Sequence, residues 1–193
     1  TYDADGLRGT KTVTENKVDT KHTYHYVSGQ LRYEERGKAK FYYFYDATGN
    51  LSAIRYYNAD GKLYEYFALT NAQGDVIAFY TDSCDCVVTY EYDAWGNVVK
   101  QTDTTSINFA ELNPIRYRGY YYDTETGLYY LQSRYYNPQV GRFISPDTTD
   151  VLTATPMGLT DKNLYAYCDN NPICRVDTCG EVWHIAVGAA VGA

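Results

Sequence analysis

Apolar positions in this chain come in short runs with no helical period. Phe41-Tyr-Tyr-Phe-Tyr45 and Val87-Val-Thr-Tyr-Glu-Tyr92 are typical, rich in the aromatic and β-branched residues that suit a pleated surface. A polar signal punctuates the runs: a Tyr-Asp or equivalent pair, two residues, Gly, then one or two apolar positions. It recurs as Tyr2-Asp3…Gly6-Leu7, Tyr26…Gly29-Gln-Leu31, Tyr45-Asp46-Ala-Thr-Gly49-Asn-Leu51, Asn58-Ala-Asp-Gly61-Lys-Leu63, Asn71-Ala-Gln-Gly74-Asp-Val76 and Tyr92-Asp93-Ala-Trp-Gly96-Asn-Val98. Asp or Asn bonds its own backbone at the start of a turn, and Gly takes the positive φ without steric cost. Residues 1–100 therefore read as strand, turn, strand, repeated. Such units stack, because none can bury its apolar face alone. The turn glycines are spaced irregularly, at 23, 20, 12, 13 and 22 residues. Thr81-Asp-Ser-Cys-Asp-Cys86 interrupts the strand pattern and is expected to lie exposed at a sheet rim.

Residues 101–113 lose the repeat and read as a connector. From Arg116 the pattern tightens. Tyr120–Tyr122 and Leu128–Leu131 flank Asp123-Thr-Glu-Thr-Gly127, a hairpin with a longer loop. A second turn is expected at Asn137-Pro-Gln-Val-Gly141, then the short apolar piece Phe143-Ile144 before Ser145-Pro-Asp147. The segment 148–158 reads as a loop or short helix, and Asn163–Cys168, with Leu164 and Tyr167 three apart, fits one or two helical turns.

The stretch Arg116–Asp147, together with Asn163-Leu-Tyr-Ala-Tyr167, Asn170-Asn-Pro172 and Asp177-Thr-Cys-Gly180, strongly resembles the Rhs repeat-associated core domain. The upstream units resemble the YD/Rhs repeat. That domain closes the YD-repeat shells of bacterial Rhs proteins and of the C component of insecticidal Tc toxin complexes. The resemblance implies an all-β fold: a fragment of an antiparallel YD-repeat strand spiral or shell, with a short helical turn in the C-terminal core motif. It divides the chain into YD repeats at 1–112, the core domain at 113–180, and the start of an effector or linker at 181–193. It implies a shell that encapsulates and delivers a polymorphic C-terminal toxin. The expected partners are that effector, in cis, and upstream YD repeats; the expected location is secreted or at the bacterial cell surface. Both ends break off in mid-pattern, so the chain reads as a fragment.

Composition sharpens this picture. Tyrosine, at 24 residues against 6 Phe and 2 Trp, dominates the apolar fraction. Its ring buries well while its hydroxyl seeks a partner, which suits a thin β-structure better than an oily core. A net charge of −7 with scattered basic residues excludes a phosphate-backbone partner for this segment. The apolar tail from Val182 to Ala193 is too short to span a bilayer. Five cysteines cannot all pair within the chain, and Cys168, Cys174, Cys179 and His184 lack a Cys-x₂-Cys knuckle, so no metal or other cofactor is expected. His22 and His25, three apart on a strand, should face opposite ways.

Asp147 and Asp177 are the candidate chemistry. Two carboxylates held close cannot both ionise comfortably, so one can act as base while the other donates a proton. The resemblance implies that such aspartates cut their own chain just after the Asp-x-x-Gly motif, near Val182–Trp183, making the protein a single-turnover aspartyl autoprotease. Asp161 and Asp150 are alternative partners, Asp161 with the merit of preceding the Asn-Leu-Tyr motif. Without catalysis, both aspartates would be turn residues bonding nearby amides. Where the family usually has Asp-Pro, this chain has Asp147-Thr148 and Asp177-Thr178, which loosens the backbone. Arg134 and Arg142 are expected to pair with carboxylates. A second function class stays open: a cell-surface β-repeat module binding glycan or a neighbouring cell, its tyrosine runs stacking on sugars.

Overall fold

The computed structural model describes residues 1–147, 163–181 and 183–185. Its main body is a nine-stranded antiparallel meander: β1 (Thr10–Glu15), β2 (Val18–Val27), β3 (Gln30–Arg36), β4 (Ala39–Tyr45), β5 (Leu51–Tyr57), β6 (Leu63–Thr70), β7 (Val76–Tyr80), β8 (Cys86–Tyr92) and β9 (Val98–Asp103), neighbours in space as in sequence. The all-β expectation is borne out, and the sheet is open.

Two turn chemistries build this sheet. Two-residue turns at 16–17, 28–29 and 37–38 join β1 to β4; Asn16, Lys17, Ser28, Gly29 and Gly37 all have positive φ. From β4 onward every connection is the same five-residue turn. In Asp46–Asn50 the Asp46 amide donates to the Asn50 carbonyl (2.9 Å), the Gly49 amide to the Asp46 carbonyl (3.1 Å), and Asp46 Oδ1 accepts from the amides of Thr48 (2.8 Å) and Asn50 (3.0 Å). Asn58–Lys62, Asn71–Asp75 and Asp93–Asn97 repeat the pattern. The irregular glycine spacing is thereby explained: the three long intervals each hide a further turn, at Asn16-Lys17, at Gly37-Lys38 and at Thr81–Asp85. In the last, Thr81 takes the Asp position and Cys84, at φ +64°, the Gly position. Cys84 and Cys86 lie exposed there, as expected for a rim.

One face of the sheet is dry. Tyr24, Leu31, Phe41, Tyr43, Ile54, Val76, Phe79 and Val88 form a cluster closed from above by Phe109 and Ala110, Ile115, Tyr121 and Tyr130. Phe109 and Ala110 belong to α1 (Phe109–Leu112), a single helical turn inside the segment read as a plain connector. The tyrosine hairpins follow as a second antiparallel sheet: β10 (Tyr121–Asp123), β11 (Leu128–Leu131), β12 (Arg134–Asn137) and β13 (Arg142–Phe143). The expected loops at 123–127 and 137–141 are both present. Tyrosine rather than Phe is needed at this junction, because three hydroxyls take three successive carbonyls of the 93–97 turn: Tyr117 on Ala94 (2.8 Å), Tyr136 on Trp95 (2.8 Å) and Tyr129 on Gly96 (2.9 Å). Gly96 itself has φ +91°, and a Cβ there would lie 2.6 Å from the Tyr117 ring. Gly96→Ala should therefore cost roughly 1–3 kcal/mol from backbone strain alone, plus the displaced ring. Thermal denaturation reads it; an unchanged melting temperature would show that the ring moves aside freely.

Two buried charge centres pin the layers together. Glu34 on β3 is fully buried and accepts from Arg36 Nε (2.7 Å), Tyr43 (2.7 Å) and Tyr121 (2.7 Å), with His22 Nδ1 at 3.1 Å. His25, on the opposite face as expected, is exposed and stacks on Tyr33. Arg8 reaches across to Asp123 (2.6 Å) through a cage of Tyr24, Tyr121 and Tyr130, whose ring centres lie 4.4–4.8 Å from its guanidinium carbon.

Past Asp147 the description resumes at Asn163; the expected loop or short helix at 148–158 falls outside the described residues. Asn163–Cys168 is not helical. Ala166 closes a turn onto the Asn163 carbonyl and bridges to Arg142, so this segment joins the edge of β13; one step later Cys168–Asn170 forms a tight turn whose three residues all have positive φ, so the expected right-handed helical turn is replaced by a left-handed one. The helical period of Leu164 and Tyr167 gave way to tertiary packing, which buries Tyr167 completely against Tyr136 and Phe143. A two-stranded sheet, β14 (Arg175–Asp177) and β15 (Trp183–Ile185), ends the described chain.

Candidate functional site

The Asp-x-x-Gly motif at 177–180 leads the turn between β14 and β15, and it shares the side-chain capping of the repeat turns, except that the Gly180 amide donates to the Asp177 side chain and not to its main-chain carbonyl. Asp177 Oδ1 accepts from the amides of Cys179 (3.3 Å), Gly180 (2.7 Å) and Glu181 (3.2 Å), and Gly180 has φ +84°. Asp177 is thus a turn residue in the full sense. A further difference lies at its second oxygen. In the 93–97 turn, Asp93 Oδ2 accepts from Asn97 Nδ2 (2.8 Å). The corresponding residue here is Glu181, which has no side-chain amide to offer, and Asp177 Oδ2 instead faces Arg134 Nη2 at 3.6 Å.

Arg134 brings the two sequence-derived aspartates to one place. It is buried on β12, and its Nη2 pairs with Asp147 Oδ2 at 2.9 Å. Its Nη1 donates to the Leu164 carbonyl (3.2 Å) and its Nε donates to the Gly180 carbonyl. Asp147 is fixed from behind, its amide donating to the same Leu164 carbonyl at 3.0 Å. The β11–β12 turn also grips the neighbouring peptide: Ser133 donates to the Cys179 carbonyl through Oγ (2.8 Å) and through its amide (3.2 Å). Gly180 fits so closely that a Cβ would lie 2.7 Å from Ser133 Oγ and 2.8 Å from the Leu131 carbonyl.

Burial pushes the Asp177 carboxyl above the usual carboxylate range, against the lowering pull of the Gly180 amide and Arg134. Tyr120 donates to the Asp177 main-chain carbonyl (2.6 Å) and shares its hydroxyl with Tyr167 (2.9 Å), both rings buried. The Cys168 thiol nearby is pushed up to about 12 by burial, so it is a packed, protonated group. A buried carboxyl with a raised pKa beside one paired to a guanidinium is an arrangement that can give a proton at one atom and accept one at another.

The other expected residues fall as follows. Asp150 and Asp161 lie outside the described residues, as does Val182. Arg134 pairs with carboxylates as expected; Arg142, exposed on β13, pairs with none among the described residues. No helix among the described residues is long and apolar enough to cross a membrane. Sequence reasoning missed the Ser133 contact and the Tyr120 hydroxyl, neither of which has a signal in spacing alone.

A meander of five-residue Asp-x-x-Gly turns, closed by a tyrosine hairpin that plugs into them, defines a segment of a YD-type β-shell. The chain belongs to the Teneurin YD-shell family, whose profile matches residues 2–173, and the Rhs/YD resemblance read from its motifs is borne out. It is 39% identical over 194 residues to the tRNA3(Ser)-specific nuclease WapA of Bacillus spizizenii, a match covering all of this chain and 8% of that protein. It is 41% identical over 81 residues to the toxin protein Tse5 of Pseudomonas aeruginosa, covering 42% of this chain and 6% of that one. The chain thus spans under a tenth of the length of these relatives. Among solved structures, the crystal structure of TcdB2-TccC3 superposes with a TM-score of 0.71 at 23% identity, over 93% of this chain and 9% of that one, a likeness of fold.

Proposed function

We propose that this chain is the closing segment of a bacterial YD-repeat shell that encloses a C-terminal toxin, and that Asp147 and Asp177 cut the chain shortly after Gly180, near Val182–Trp183. The observation that carries the cutting is the meeting of both aspartates on Arg134, against the turn that leads into the segment to be cut. Relatives named as a nuclease and a toxin support the effector. In this reading residues 1–112 continue the wall laid down by upstream repeats, 113–180 close it and carry the cut, and 181–193 begin the effector or its linker. The protein is then secreted or displayed at the cell surface, with its own effector as partner in cis.

The chemistry balances as a single hydrolysis. Asp147 takes a proton from water as the water oxygen adds to the scissile carbonyl. Asp177 passes its proton to the departing amine, the C–N bond breaks, and a carboxyl and an amine remain. No reset is needed, since a tethered bond is cut once and proximity supplies most of the rate. The glycan-binding alternative finds less support. The half-buried ring of Tyr33 and the exposed ring of Tyr42 stack on each other with centroids 4.7 Å apart, and His25 stacks on Tyr33, so they cover the faces a sugar would use.

The test is a chain extended past residue 193, followed by intact mass. The wild type should fragment with a new terminus shortly after Gly180; a folded chain that stays whole overturns the cutting and leaves the shell role. The pH dependence has a definite sign. Asp177 must be protonated to donate and its pKa is raised, so the cleavage rate should fall as pH rises through that value, by about tenfold per unit beyond it. A rate that climbs with pH over that range would remove Asp177 from the acid role.

A further inference from the structure

Lys11 is held against two carboxylates at once, and one of them is buried. Its Nζ lies 2.6 Å from Asp123 Oδ1 and 2.6 Å from Glu125 Oε1. Asp123, at the end of β10, is 2% exposed, and its other oxygen, Oδ2, accepts from Arg8 Nη1 at 2.6 Å. The ring of Tyr121 flanks the site, its centre 5.6 Å from Nζ. We propose that Lys11 and Asp123 join covalently: the lysine amine and the aspartate carboxyl condense into an isopeptide bond, with Glu125 carrying the protons and Arg8 holding the carboxyl oxygen that stays. The bond fastens β1, in the first hairpin of the main sheet, to the closing hairpin, between residues 112 apart in the chain.

The parts match the chemistry. A carbon–oxygen bond is about 1.23 Å long, so Nζ stands within roughly 3.8 Å of the Asp123 carboxyl carbon, close to attack distance. Burial would raise the Glu125 carboxyl, but the hydrogen bonds from Lys11 and from its own amide, with the nearby His22, outweigh it and hold the group below its ordinary value. Glu125 therefore stands ionised, able to take a proton from the Lys11 ammonium. The freed amine adds to the Asp123 carbon, and the Arg8 guanidinium steadies the negative charge that gathers on Oδ2. Glu125 passes the proton to Oδ1, a second ammonium proton follows by the same route, and Oδ1 leaves as water. One C–N bond forms, one C–O bond breaks, the charges of ammonium and carboxylate cancel, and Glu125 ends as it began. Such a condensation is uphill between free groups in water. Contact enforced by the fold supplies an effective concentration of about 10⁵–10⁸ M, and the burial of Asp123 keeps water from reversing the step. Lys100 and Glu91 show the ordinary case: a pair at 2.8 Å with both side chains more than half exposed, where nothing excludes water.

The experiment is the mass of the purified folded chain, followed by tryptic digestion. Both residues lie ahead of Gly180, so self-cleavage leaves them on one fragment and the two readings are told apart. The wild type should be lighter than its sequence by one water, and the digest should contain a branched peptide joining Lys11 to Asp123. Lys11→Arg keeps the charge but has no amine to condense, and should stand at full mass with no branched peptide. Glu125→Gln should fold and stay at full mass, since the ion pair on Asp123 survives while the proton carrier is gone. A folded wild type at full mass overturns the proposal. So does a lost water that persists in Lys11→Arg, which would place it at a succinimide in Asp5-Gly6 or Asp60-Gly61. If Lys11→Arg does not fold, the digest decides: a wild type that has lost water but yields no branched peptide overturns the bond. Glu125→Gln losing water as fast as the wild type overturns the carrier role of Glu125.

Discussion

Asp177→Asn should leave the extended chain whole. The amide keeps an oxygen in the place of Oδ1, so the three amides of Cys179, Gly180 and Glu181 still have an acceptor and the turn survives. What is lost is the proton. An amide neither donates to a leaving amine as an acid nor accepts as a base, and loss of a positioned acid or base costs on the order of 10²–10⁴ in rate. Asp147→Asn should block cutting to a similar degree, since it removes the second member of the pair on Arg134. Asp161→Asn should be nearly silent. Intact mass over hours at the wild-type optimum separates the cases. Blocked cutting in Asp161→Asn with free cutting in Asp147→Asn would make Asp161 the true partner. Free cutting in Asp177→Asn would return that residue to a purely architectural part.

Glu34→Ala should be the most damaging change in the sheet. The carboxylate is fully buried and receives Arg36, Tyr43, Tyr121 and His22, so its loss strands a guanidinium and two hydroxyls at the joint between layers. Breaking a buried pair from one side costs about 3–5 kcal/mol, on the order of 10 °C in melting temperature for a chain of this size. The same centre sets an acid limit. Burial would push the Glu34 carboxyl up, but Arg36 and the hydrogen bonds of His22 and Tyr43 outweigh it and hold the group well below the usual range. A depressed carboxylate stabilises the fold above its unfolded pKa, and that stability drains away as pH falls below it toward the folded value. Wild-type stability measured by denaturant should therefore decline below about pH 4, and Glu34→Gln should flatten the decline. An equally steep loss in Glu34→Gln would place the acid sensitivity elsewhere.

The repeat turns were legible because their chemistry is local. Asp or Asn at the start and Gly at the fourth position dictate the same hydrogen bonds wherever they occur, and the structure has them at Asp46, Asn58, Asn71 and Asp93. Asn16-Lys17 escaped, and Thr81–Asp85 was legible only as an interruption of the strands, because the left-handed positions there are filled by Asn, Lys and Cys rather than Gly, while Gly37 has no Asp or Asn three residues before it. The helix at Phe109–Leu112 is a single turn, too short to show a period, and Asn163–Cys168 has a helical period that the β13 edge overrides. At the candidate site, the motifs pointed to Asp147 and Asp177, and both lie on Arg134. That Arg134 would join them rather than pair with one could not be read. It is far from Asp177 along the chain and meets it only once the hairpin has closed.

The lid over the sheet's dry face comes late in the chain, and this sets a timetable for the protein as it is made. Phe41, Ile54, Val76 and Phe79 are covered by Phe109, Ile115, Tyr121 and Tyr130, all of which lie beyond β9. A ribosome adding about 5–20 residues per second exposes the nine finished strands for seconds before their cover emerges. Through that interval the nascent sheet is a wide apolar surface with its newest strand unpaired on one side, a natural client for holdase chaperones and a hazard when translation stalls. A ribosome arrested with the chain outside the exit tunnel only as far as Asp103 should hold its nascent chain in a chaperone-bound, protease-sensitive state, and release from that state should coincide with emergence of the Tyr121–Tyr130 hairpin.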